Sequence, residues 1–258
     1  MANLYFNEAL SADVFEAGAL VEVTGDEARH AVRVSRLRVG ERILVGDGSG
    51  TLGEGAVESV AKERFAVRLD RVERAAVCEP RIVLAQALAK GDRDERAVEQ
   101  STEFGVDAIL PWQAERSVSR WDGAGAAEKA AKGVAKWQRI AREASKQSLR
   151  PSIPEVLGPG SLASLCELAA SAEHAVVVLH PRGELTLSAW VASFAAAGGS
   201  EPGVIVLAVG PEGGFSDAEL DALEAAGAAI VVLGTTVLRT SSAGPAALAV
   251  LNVALGRW

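Results

Sequence analysis

The sequence is poor in cysteine and has no long apolar run. Its two cysteines, Cys78 and Cys166, stand far apart and form no C-x-x-C motif, which argues against a disulfide framework and a cysteine zinc site. The N-terminus lacks a cationic region followed by an apolar run, so it does not resemble a secretory signal. The longest apolar runs, such as Val204–Val209, fall far short of the ~20 residues that span a bilayer. We therefore expect a cytoplasmic protein without a membrane segment.

Several catalytic signatures are also missing. The three histidines, His30, His174 and His180, do not stand at metal-binding spacing, and His30 and His180 are predicted to lie in loops. Neither H-E-x-x-H nor G-x-S-x-G occurs, so we expect no metal site and no serine-hydrolase chemistry. No segment matches G-x-G-x-x-G or G-x-x-x-x-G-K-[ST], which disfavours a nucleotide phosphate as the ligand.

What is present is typical of globular protein: 258 residues, of which 49% are hydrophobic and 23% are charged. This length allows one large domain or two smaller ones. From Leu20 to Val72, short alternating segments predict a small all-β barrel or sandwich. An Asp47–Gly50 turn joins two of these segments, and we expect positive φ at both Asp47 and Gly48. The charged stretch Arg71–Pro80 is interpreted as the exit linker of this domain.

After Pro80 the pattern changes to apolar runs that alternate with helices. Runs that are apolar throughout are typical of strands covered on both faces, as in a parallel α/β sheet. The predicted strands are residues 82–88, 108–110, 175–179, 204–209 and 230–233, and the predicted helices include residues 94–104 and 128–150. The fold class that follows is α/β, preceded by a small β domain.

Charge is unevenly distributed along the chain. The formal net charge is −8, yet residues 81–150 carry 13 Lys and Arg against 10 Asp and Glu. On a helical wheel the helix predicted over residues 128–150 gathers six cations on one face, namely Lys129, Lys132, Lys136, Arg139, Lys146 and Arg150. A second cluster comprises Arg29, Arg33, Arg36, Arg38 and Arg42, beside His30. Either cluster alone is more often a solvated surface. The planar guanidinium of arginine, however, can donate two parallel hydrogen bonds to a phosphate. The two clusters together therefore favour an anionic partner that binds locally.

Three predicted strands end in loops that point to a ligand site, at residues 179–183, 210–215 and 233–240. Ligands of open parallel sheets bind beyond the carboxyl ends of strands, so these loops can share one crevice, although each alone can equally be a tight turn. Glu212 disfavours a pyrophosphate there, and Ser216 with Glu219 predicts a helix capping box. A cationic or hydroxyl-rich ligand held by backbone groups fits better, and S-adenosylmethionine (SAM) has both a sulfonium and a ribose diol.

The motifs also occur in a familiar order. They are His30 with Val34–Gly40, Asp47-Gly48, Gln86, Lys90–Arg93, Thr102–Gly105, Pro111, Glu115–Ser117, Glu143-Ala144, Gln147, Arg150, Pro154, Gly210–Ser216 and Leu238–Thr240. With these residues the chain resembles, nearly end to end, the ribosomal RNA small-subunit methyltransferase E family. These enzymes are the uridine-N3 methyltransferases of 16S rRNA within the SPOUT superfamily.

The resemblance implies a PUA-like β-barrel for RNA docking over residues 1–74 and a SPOUT methyltransferase domain over residues 75–258. It also implies a deep C-terminal trefoil knot, which the general rule against threaded chains would disfavour. The implied cofactor is SAM, the implied substrate is 16S rRNA within a small-subunit particle, and the implied assembly is a homodimer with each site beside the subunit interface. Where relatives carry an acid after Leu-Arg-Thr, this chain has Ser241, so no role of that acid is carried over.

Site residues follow from the resemblance and from the chemistry of the transfer. The catalytic candidates are Arg239, which would stabilise the anion formed when uracil N3 loses its proton, and Glu103, a candidate base alongside Glu212 or water. The implied cofactor-binding residues are Leu179, His180, Pro181, Gly210, Pro211, Glu212, Gly213, Gly214, Leu233, Gly234, Leu238, Arg239, Thr240, Ser242 and Ala243. The implied RNA-binding residues are His30, Arg33, Arg36, Arg38, Lys90, Arg93, Arg116, Lys136, Arg139, Lys146 and Arg150.

Two other functions stay open at this point. A SPOUT methyltransferase that modifies another RNA position would share the α/β domain. A non-catalytic ribosome-assembly factor would keep the cationic clusters but would have lost the methyl donor.

Overall fold

The computed structural model describes residues 3–196 and 202–258, and the chain divides into two compact units. The first unit comprises Met1–Val77 together with Arg142–Ile153, and the second comprises Cys78–Ala141 together with Pro154–Trp258. The division is therefore not a single cut, because an internal segment packs with the N-terminal residues.

The first unit is a five-stranded sheet rolled around its main apolar core, with a smaller apolar cluster of Leu4, Phe6 and Leu52. Its strands are β1 (Leu4–Phe6), β2 (Leu20–Thr24), β3 (Arg42–Gly46), β4 (Thr51–Ala61) and β5 (Arg64–Arg74). The strand order is β1-β3-β4-β5-β2, with β1 and β3 parallel and the other pairs antiparallel. The edge strands are linked where the Asn7 side chain donates to the Glu22 carbonyl over 3.2 Å. Inside the roll, the Tyr5 and Phe65 rings meet edge to face at 5.3 Å.

This unit is not all-β, and the prediction is wrong on that point. A helix, α1 (Gly25–Arg33), follows β2 and buries Ala28 and Ala31, one turn apart, against the sheet core. His30 therefore lies in a helix and not in a loop. Acids in the first turn and cations in the last turn favour this helix, because they complement its dipole.

The turn between β3 and β4 was predicted in place but not in conformation. Gly48 and Gly50 have positive φ, whereas Asp47 does not. The buried Asp47 carboxylate instead accepts hydrogen bonds from the amides of Ser49 and Thr51, at 2.7 and 2.9 Å. The connection is therefore longer than a two-residue turn, and the Asp47 side chain bonds the amides that the longer connection leaves without backbone partners.

The predicted linker is also partly wrong. Residues 71–74 form the end of β5 and pair with β4, Arg74 lying opposite Thr51. The charged residues of this segment belong to a long hairpin, and most of their side chains are exposed. A polar composition is therefore compatible with a regular strand at this position.

The second unit is built on a parallel sheet, as predicted, and this sheet has seven strands where five were predicted. The strands are β6 (Arg81–Ala87), β7 (Ala108–Trp112), β8 (Glu155–Val156), β9 (His174–Leu179), β10 (Leu185–Thr186), β11 (Val204–Val209) and β12 (Ala229–Val232). Their order is β10-β12-β9-β11-β6-β7-β8, and each neighbouring pair is parallel. All carboxyl ends therefore lie along one edge of the sheet.

Helices cover both faces of this sheet. They are α2 (Arg93–Glu103), α3 (Ala126–Gln147), α4 (Leu162–Ala169), α5 (Leu187–Ala196), α6 (Asp217–Ala225) and α7 (Thr240–Ala254). Along β6, Ile82 and Leu84 join the core beneath α2, α5 and α7, while Ala85 and Ala87 join the core beneath α4 and α6. Burial on both faces is why these strands are apolar throughout.

Five elements of this unit were not predicted, and one of them, α4, has only 8 residues. The strands β8 and β10 have two residues each, too few to show any period. The helices α5 and α7 have weakly amphipathic sequences, and α7 contains Pro245. A helix buried on several sides carries little sequence periodicity, so packing rather than pattern defines it.

Candidate active site

The loops that follow β9, β11 and β12 meet at the carboxyl edge of the sheet and line two adjoining cavities of about 280 and 550 Å³. The cavities share residues of the loops after β9 and β12, including His180 and Leu238, while the loop after β11 lines the larger cavity alone. Every residue predicted to bind the cofactor lines one of these two cavities, except Ser242, which is exposed in the first turn of α7. The structure therefore brings together three loops that are distant in sequence.

The glycine loop Gly210–Phe215 is held from beneath by aromatic rings. Phe215 stacks on Trp112 with the ring centres 5.3 Å apart, and the Trp112 indole donates to the Val209 carbonyl over 3.1 Å. A Cβ atom on Gly210 would lie 2.9 Å from the Phe215 ring, so the close approach requires glycine. The predicted capping box is confirmed: Ser216 and Glu219 satisfy each other's amides at the start of α6.

A charged clamp fixes the outer side of the same loop. Glu212 accepts hydrogen bonds from the Lys90 amide at 2.7 Å and from the Arg93 guanidinium at 2.6 Å. Partial burial alone would raise the pKa of Glu212. Hydrogen bonds from its own amide, from Arg93 and from the Lys90 amide outweigh that effect and hold the pKa below its ordinary value of 4.5. Glu212 is thus a loop-shaping carboxylate, and Arg93 lines the larger cavity.

A second clamp comes from the segment after β7. Arg116 donates to the carbonyls of Gly213 and Phe215, at 3.2 and 2.9 Å. The buried Glu219 carboxylate also accepts from the Glu115 amide at 2.8 Å. Arg116 was assigned to RNA from the sequence, but these contacts direct its guanidinium onto the glycine loop.

His180 stands between the two cavities as a neutral ring. Its Nδ1 accepts from the Arg182 amide at 3.1 Å, so a neutral ring carries its proton on Nε2. Burial, followed by the positive charges of Arg182 and Arg116, lowers the pKa of His180 below its ordinary value of 6.5. Near pH 7 the ring is therefore uncharged and is suited to a site that takes a cationic ligand.

Buried polar side chains connect the glycine loop to α7. The Thr240 hydroxyl donates to the Gly210 carbonyl over 2.6 Å, and Gln86 Nε2 donates to Thr240 Oγ1 over 2.9 Å. Gln86 is fully buried in β6 and was not among the predicted site residues. It was among the motif residues of the resemblance, and a glutamine inside an apolar run was a second signal that could have identified it as a site residue.

The two predicted catalytic residues lie in different places. Arg239 is exposed, lines the larger cavity and makes no side-chain ion pair within residues 3–196 and 202–258. Glu103 is the last residue of α2, whereas Arg93, the first residue, lines the cavity. Ten residues of helix separate them by about 15 Å. Glu103 is also absent from both cavity linings, so the arrangement of this unit gives it no part in the site.

In the first unit, four of the predicted RNA-binding side chains are exposed together. They are His30, Arg33, Arg36 and Arg38. None of the three arginines has a carboxylate within 4.0 Å in the part of the chain that the structure describes. By contrast, Arg29 pairs with Asp26 and Arg42 with Glu54 and Asp70, so those two cations are already neutralised.

The six-cation face predicted for the basic helix is corrected by the structure. The helix ends at Gln147, so Arg150 lies outside it. Lys146 is buried and pairs with Glu27 at 2.9 Å, while Lys136 pairs with Glu95 at 2.5 Å. Lys132 bonds Glu128 on its own helix, and Lys129 donates to the Asp122 carbonyl over 3.4 Å. Arg139 remains as the exposed cation without an ion pair among the described residues.

Other kinds of site are not indicated. In residues 3–196 and 202–258 no group of three or more His, Cys, Asp or Glu side chains could hold a metal ion. Over the same ranges, no helix combines the length and apolar character needed to cross a bilayer.

Comparison with known proteins agrees with this geometry. Residues 77–252 match the RNA methyltransferase domain, and residues 23–70 match the RNA methyltransferase PUA domain. The chain is 41% identical to ribosomal RNA small subunit methyltransferase E of Mycobacterium bovis, over 94% of this chain and 90% of that protein.

Two solved structures are similar throughout. A methyltransferase from Legionella pneumophila with bound SAM superposes with a TM-score of 0.80 and 31% identity, covering 98% of each chain. Ribosomal RNA small subunit methyltransferase E from Neisseria gonorrhoeae bound to SAM gives a TM-score of 0.80 and 27% identity, again over 98% of each chain. The match over 77–252 and the identity with the Mycobacterium protein together establish that the chain belongs to the ribosomal RNA small subunit methyltransferase E family.

Proposed function

We propose that this protein transfers the methyl group of SAM to N3 of a uridine in 16S rRNA, in the cytoplasm. The observation that carries the proposal is the convergence of three glycine-containing loops around adjoining cavities, with the exposed Arg239 among the lining residues. A site walled by backbone groups with a cation at its edge is suited to placing a methyl donor opposite a base that must become anionic.

The lining residues fit SAM. Leu179, Leu233 and Leu238 offer apolar surface for an adenine ring, and the adjacent backbone amides and carbonyls can bond its polar edge and the ribose diol. At positions 213, 214 and 234 glycine leaves the backbone without a covering side chain. A neutral His180 adds no positive charge to repel the sulfonium.

When bound, SAM supplies the methyl group in an activated sulfonium form. The protein's own part is to orient the base, to exclude water and to favour loss of the N3 proton. Arg239 would stabilise negative charge on a uracil carbonyl through its guanidinium. Because Glu212 is held by Arg93 and the Lys90 amide, we assign it a loop-shaping role and leave the proton to solvent.

RNA binding is assigned to the exposed cations. We propose that His30, Arg33, Arg36 and Arg38 of the first unit bind phosphates of the RNA. A cation that is not already paired with a carboxylate contributes most, because it releases counterions from the RNA when it binds. In the second unit Lys90 and Arg139 are exposed and are kept in the same role. The buried Lys146 is left out because its charge is already neutralised.

We also propose that the protein is a homodimer acting on a small-subunit particle, and that its C-terminal chain is knotted. Exposed apolar residues at the third loop and on α7, Val237 and Val253, support a partner surface. Support for the knot comes from the return of the chain after β12: α7 starts against Gly210 and ends with Asn252 bonded to the Phe104 carbonyl.

The test is nucleoside mass spectrometry of 16S rRNA from a strain that lacks the gene. We expect loss of one N3-methyluridine, and its return with the wild-type gene but not with Arg239→Ala. Loss of a methyl group at another position would favour a different target. Unchanged rRNA, together with no SAM binding by calorimetry, would favour the non-catalytic assembly factor and overturn the proposal.

A further inference from the structure

A chain of buried hydrogen bonds runs from the sheet to two of the three loops. Gln86, in β6 and fully buried, donates from Nε2 to Thr240 Oγ1 at 2.9 Å and to the Ala87 carbonyl at 3.1 Å. Thr240, the first residue of α7 and 6% exposed, donates its hydroxyl proton to the Gly210 carbonyl at 2.6 Å. Gln86 itself lines neither cavity, so it can act only through the groups it holds.

The direction of each bond in this chain is fixed. A primary amide has two N–H protons, and here both are used, on Thr240 and on Ala87. Because Gln86 donates to the Thr240 oxygen, the single hydroxyl proton must go to the Gly210 carbonyl, which can only accept. Rotating the amide by half a turn would set the Gln86 oxygen against the Ala87 carbonyl, two acceptors in contact, so the amide orientation that donates to both partners is favoured.

The groups at the end of this chain belong to the site. Gly210 begins the glycine loop, and Arg239 directly precedes Thr240 at the N-terminus of α7. Both residues line the larger cavity. Joining Thr240 to Gly210 therefore fixes the spacing between the loop that follows β11 and Arg239.

Core packing alone does not account for a glutamine at this position. Gln86 Oε1 is buried and has no hydrogen-bond donor among the described residues. An amide oxygen left in this state destabilises a fold, so an apolar residue of similar size would pack at least as well. The amide is retained at a cost in stability, which points to a requirement for its N–H groups.

We propose that Gln86 and Thr240 are positioning residues that set the Gly210 carbonyl and Arg239 in the geometry needed for SAM binding and methyl transfer. This inference rests on the proposed function for its turnover measurement but not for its SAM-binding measurement. Neither side chain is assigned contact with the reacting atoms.

The test compares Gln86→Leu, Thr240→Val and the double variant with the wild-type protein. Each single substitution keeps the side chain's size and removes two of the three hydrogen bonds: Gln86→Leu those to Thr240 and Ala87, and Thr240→Val those to Gln86 and Gly210. We expect SAM affinity to fall by roughly tenfold or more in each single variant, since the bond between Gln86 and Thr240 is lost in both and buried partners are left unpaired. The double variant should lose no more than either single variant, because the two residues act as one unit. Thr240→Ser should recover most of what Thr240→Val loses.

Asn252→Leu is the matched control. Asn252 is a buried amide on the same helix and donates to the Phe104 carbonyl at 2.7 Å, but it lines neither cavity. The Asn252→Leu substitution should lower the melting temperature at least as much as Gln86→Leu does, and it should leave SAM affinity and turnover unchanged. All measurements are made well below the lowest melting temperature of the set, with circular dichroism to confirm folding.

The outcomes separate the possibilities. If SAM affinity falls with melting temperature across all variants, including Asn252→Leu, Gln86 contributes only to core stability. That result would overturn the inference. Additive losses in the double variant would also overturn it. If the wild-type protein binds SAM but methylates no rRNA, the proposed function fails while the SAM-binding comparison still decides the role of Gln86.

Discussion

Arg93 and Glu212 form an ion pair, with Nη1 and Oε1 2.6 Å apart, that ties the N-terminus of α2 to the glycine loop. The Lys90 amide donates to the same carboxylate oxygen. A single carboxylate therefore joins the loop that follows β6, which carries the exposed Lys90, to the loop that lines the proposed SAM site. The ordering of these two segments depends on the ionised state of Glu212.

Glu212→Gln should remove an acid-sensitive contribution to stability. Because the pKa of Glu212 in the folded protein lies below the ordinary value of 4.5, the stabilisation is fully present above pH 4.5 and is lost as pH falls through the lower folded value. The melting temperatures of wild type and variant should thus differ most near neutral pH and converge in acid. Glu115→Gln, which removes an exposed carboxylate from the neighbouring segment, is the control for the loss of one negative charge. A constant difference from pH 7 to pH 3 would contradict the assignment.

Arg239→Ala should reduce turnover roughly a hundredfold, the usual cost of removing a group that stabilises transition-state charge. Because Arg239 is exposed and has no ion pair among the described residues, the melting temperature should hardly change. Arg239→Lys should recover only part of the rate, since a lysine keeps the charge but not the planar fork. Arg182→Ala is the control, because Arg182 points to Asp221 and Glu224 on α6. Equal rate losses in both alanine variants would contradict a specific role for Arg239.

Replacing Arg33, Arg36 and Arg38 together by glutamine should weaken RNA binding and flatten its salt dependence. Each lost phosphate contact lowers the slope of log K against log salt by roughly 0.7 to 0.9. The matched control replaces Arg64, Arg68 and Arg71 of β5, each of which has a carboxylate within 4.0 Å. Filter binding or fluorescence titration of a 16S rRNA fragment at several salt concentrations measures both. Equal salt slopes for the two triple variants would show that Arg33, Arg36 and Arg38 do not form part of the RNA-binding surface.

The buried charge cluster of the first unit should show an asymmetric response to mutation. Glu27 is 11% exposed and forms ion pairs with both Arg142 and Lys146, at 3.0 and 2.9 Å. Glu27→Ala leaves two cations in place and should cost about 3 kcal/mol, whereas Lys146→Met leaves Glu27 paired with Arg142 and should cost about 1 kcal/mol. Urea unfolding measures both values.

Lys132→Met is the control for that comparison, since an exposed pair on one helix contributes less than about 0.5 kcal/mol. Lys146→Met should also leave the salt slope of RNA binding unchanged. A smaller salt slope in the Lys146→Met variant would show that Lys146 contacts RNA.

Much of the second unit was predictable because its strands are covered on both faces. Such strands carry an unbroken apolar run, and the residue after the run marks the carboxyl edge where loops gather. This is why the segments at 179, 210 and 233 could be assigned to one site before their contacts were known. The capping box at Ser216 and Glu219 was predictable for a similar reason, since it is a purely local arrangement.

What could not be predicted depends on partners far away in the chain. A helical wheel groups Lys146 with Lys136 and Arg139, but it cannot say that Glu27 covers one end of that face. Glu103 looked suitable by residue type, yet α2 points it away from the cavity that its first residue lines. The helix α1 carried local signals, namely acids before cations, that a strand-like neighbourhood concealed.

By itself the sequence determined the two kinds of domain, the parallel sheet and the set of loops that line the candidate site, because periodicity and local capping are properties of neighbouring residues. Only the tertiary structure decided which cations are free, which carboxylates are occupied, and that Gln86 reaches Gly210 through Thr240. Those facts depend on hydrogen bonds and ion pairs between distant segments, whose geometry exists only once the strands are aligned and the loops have met.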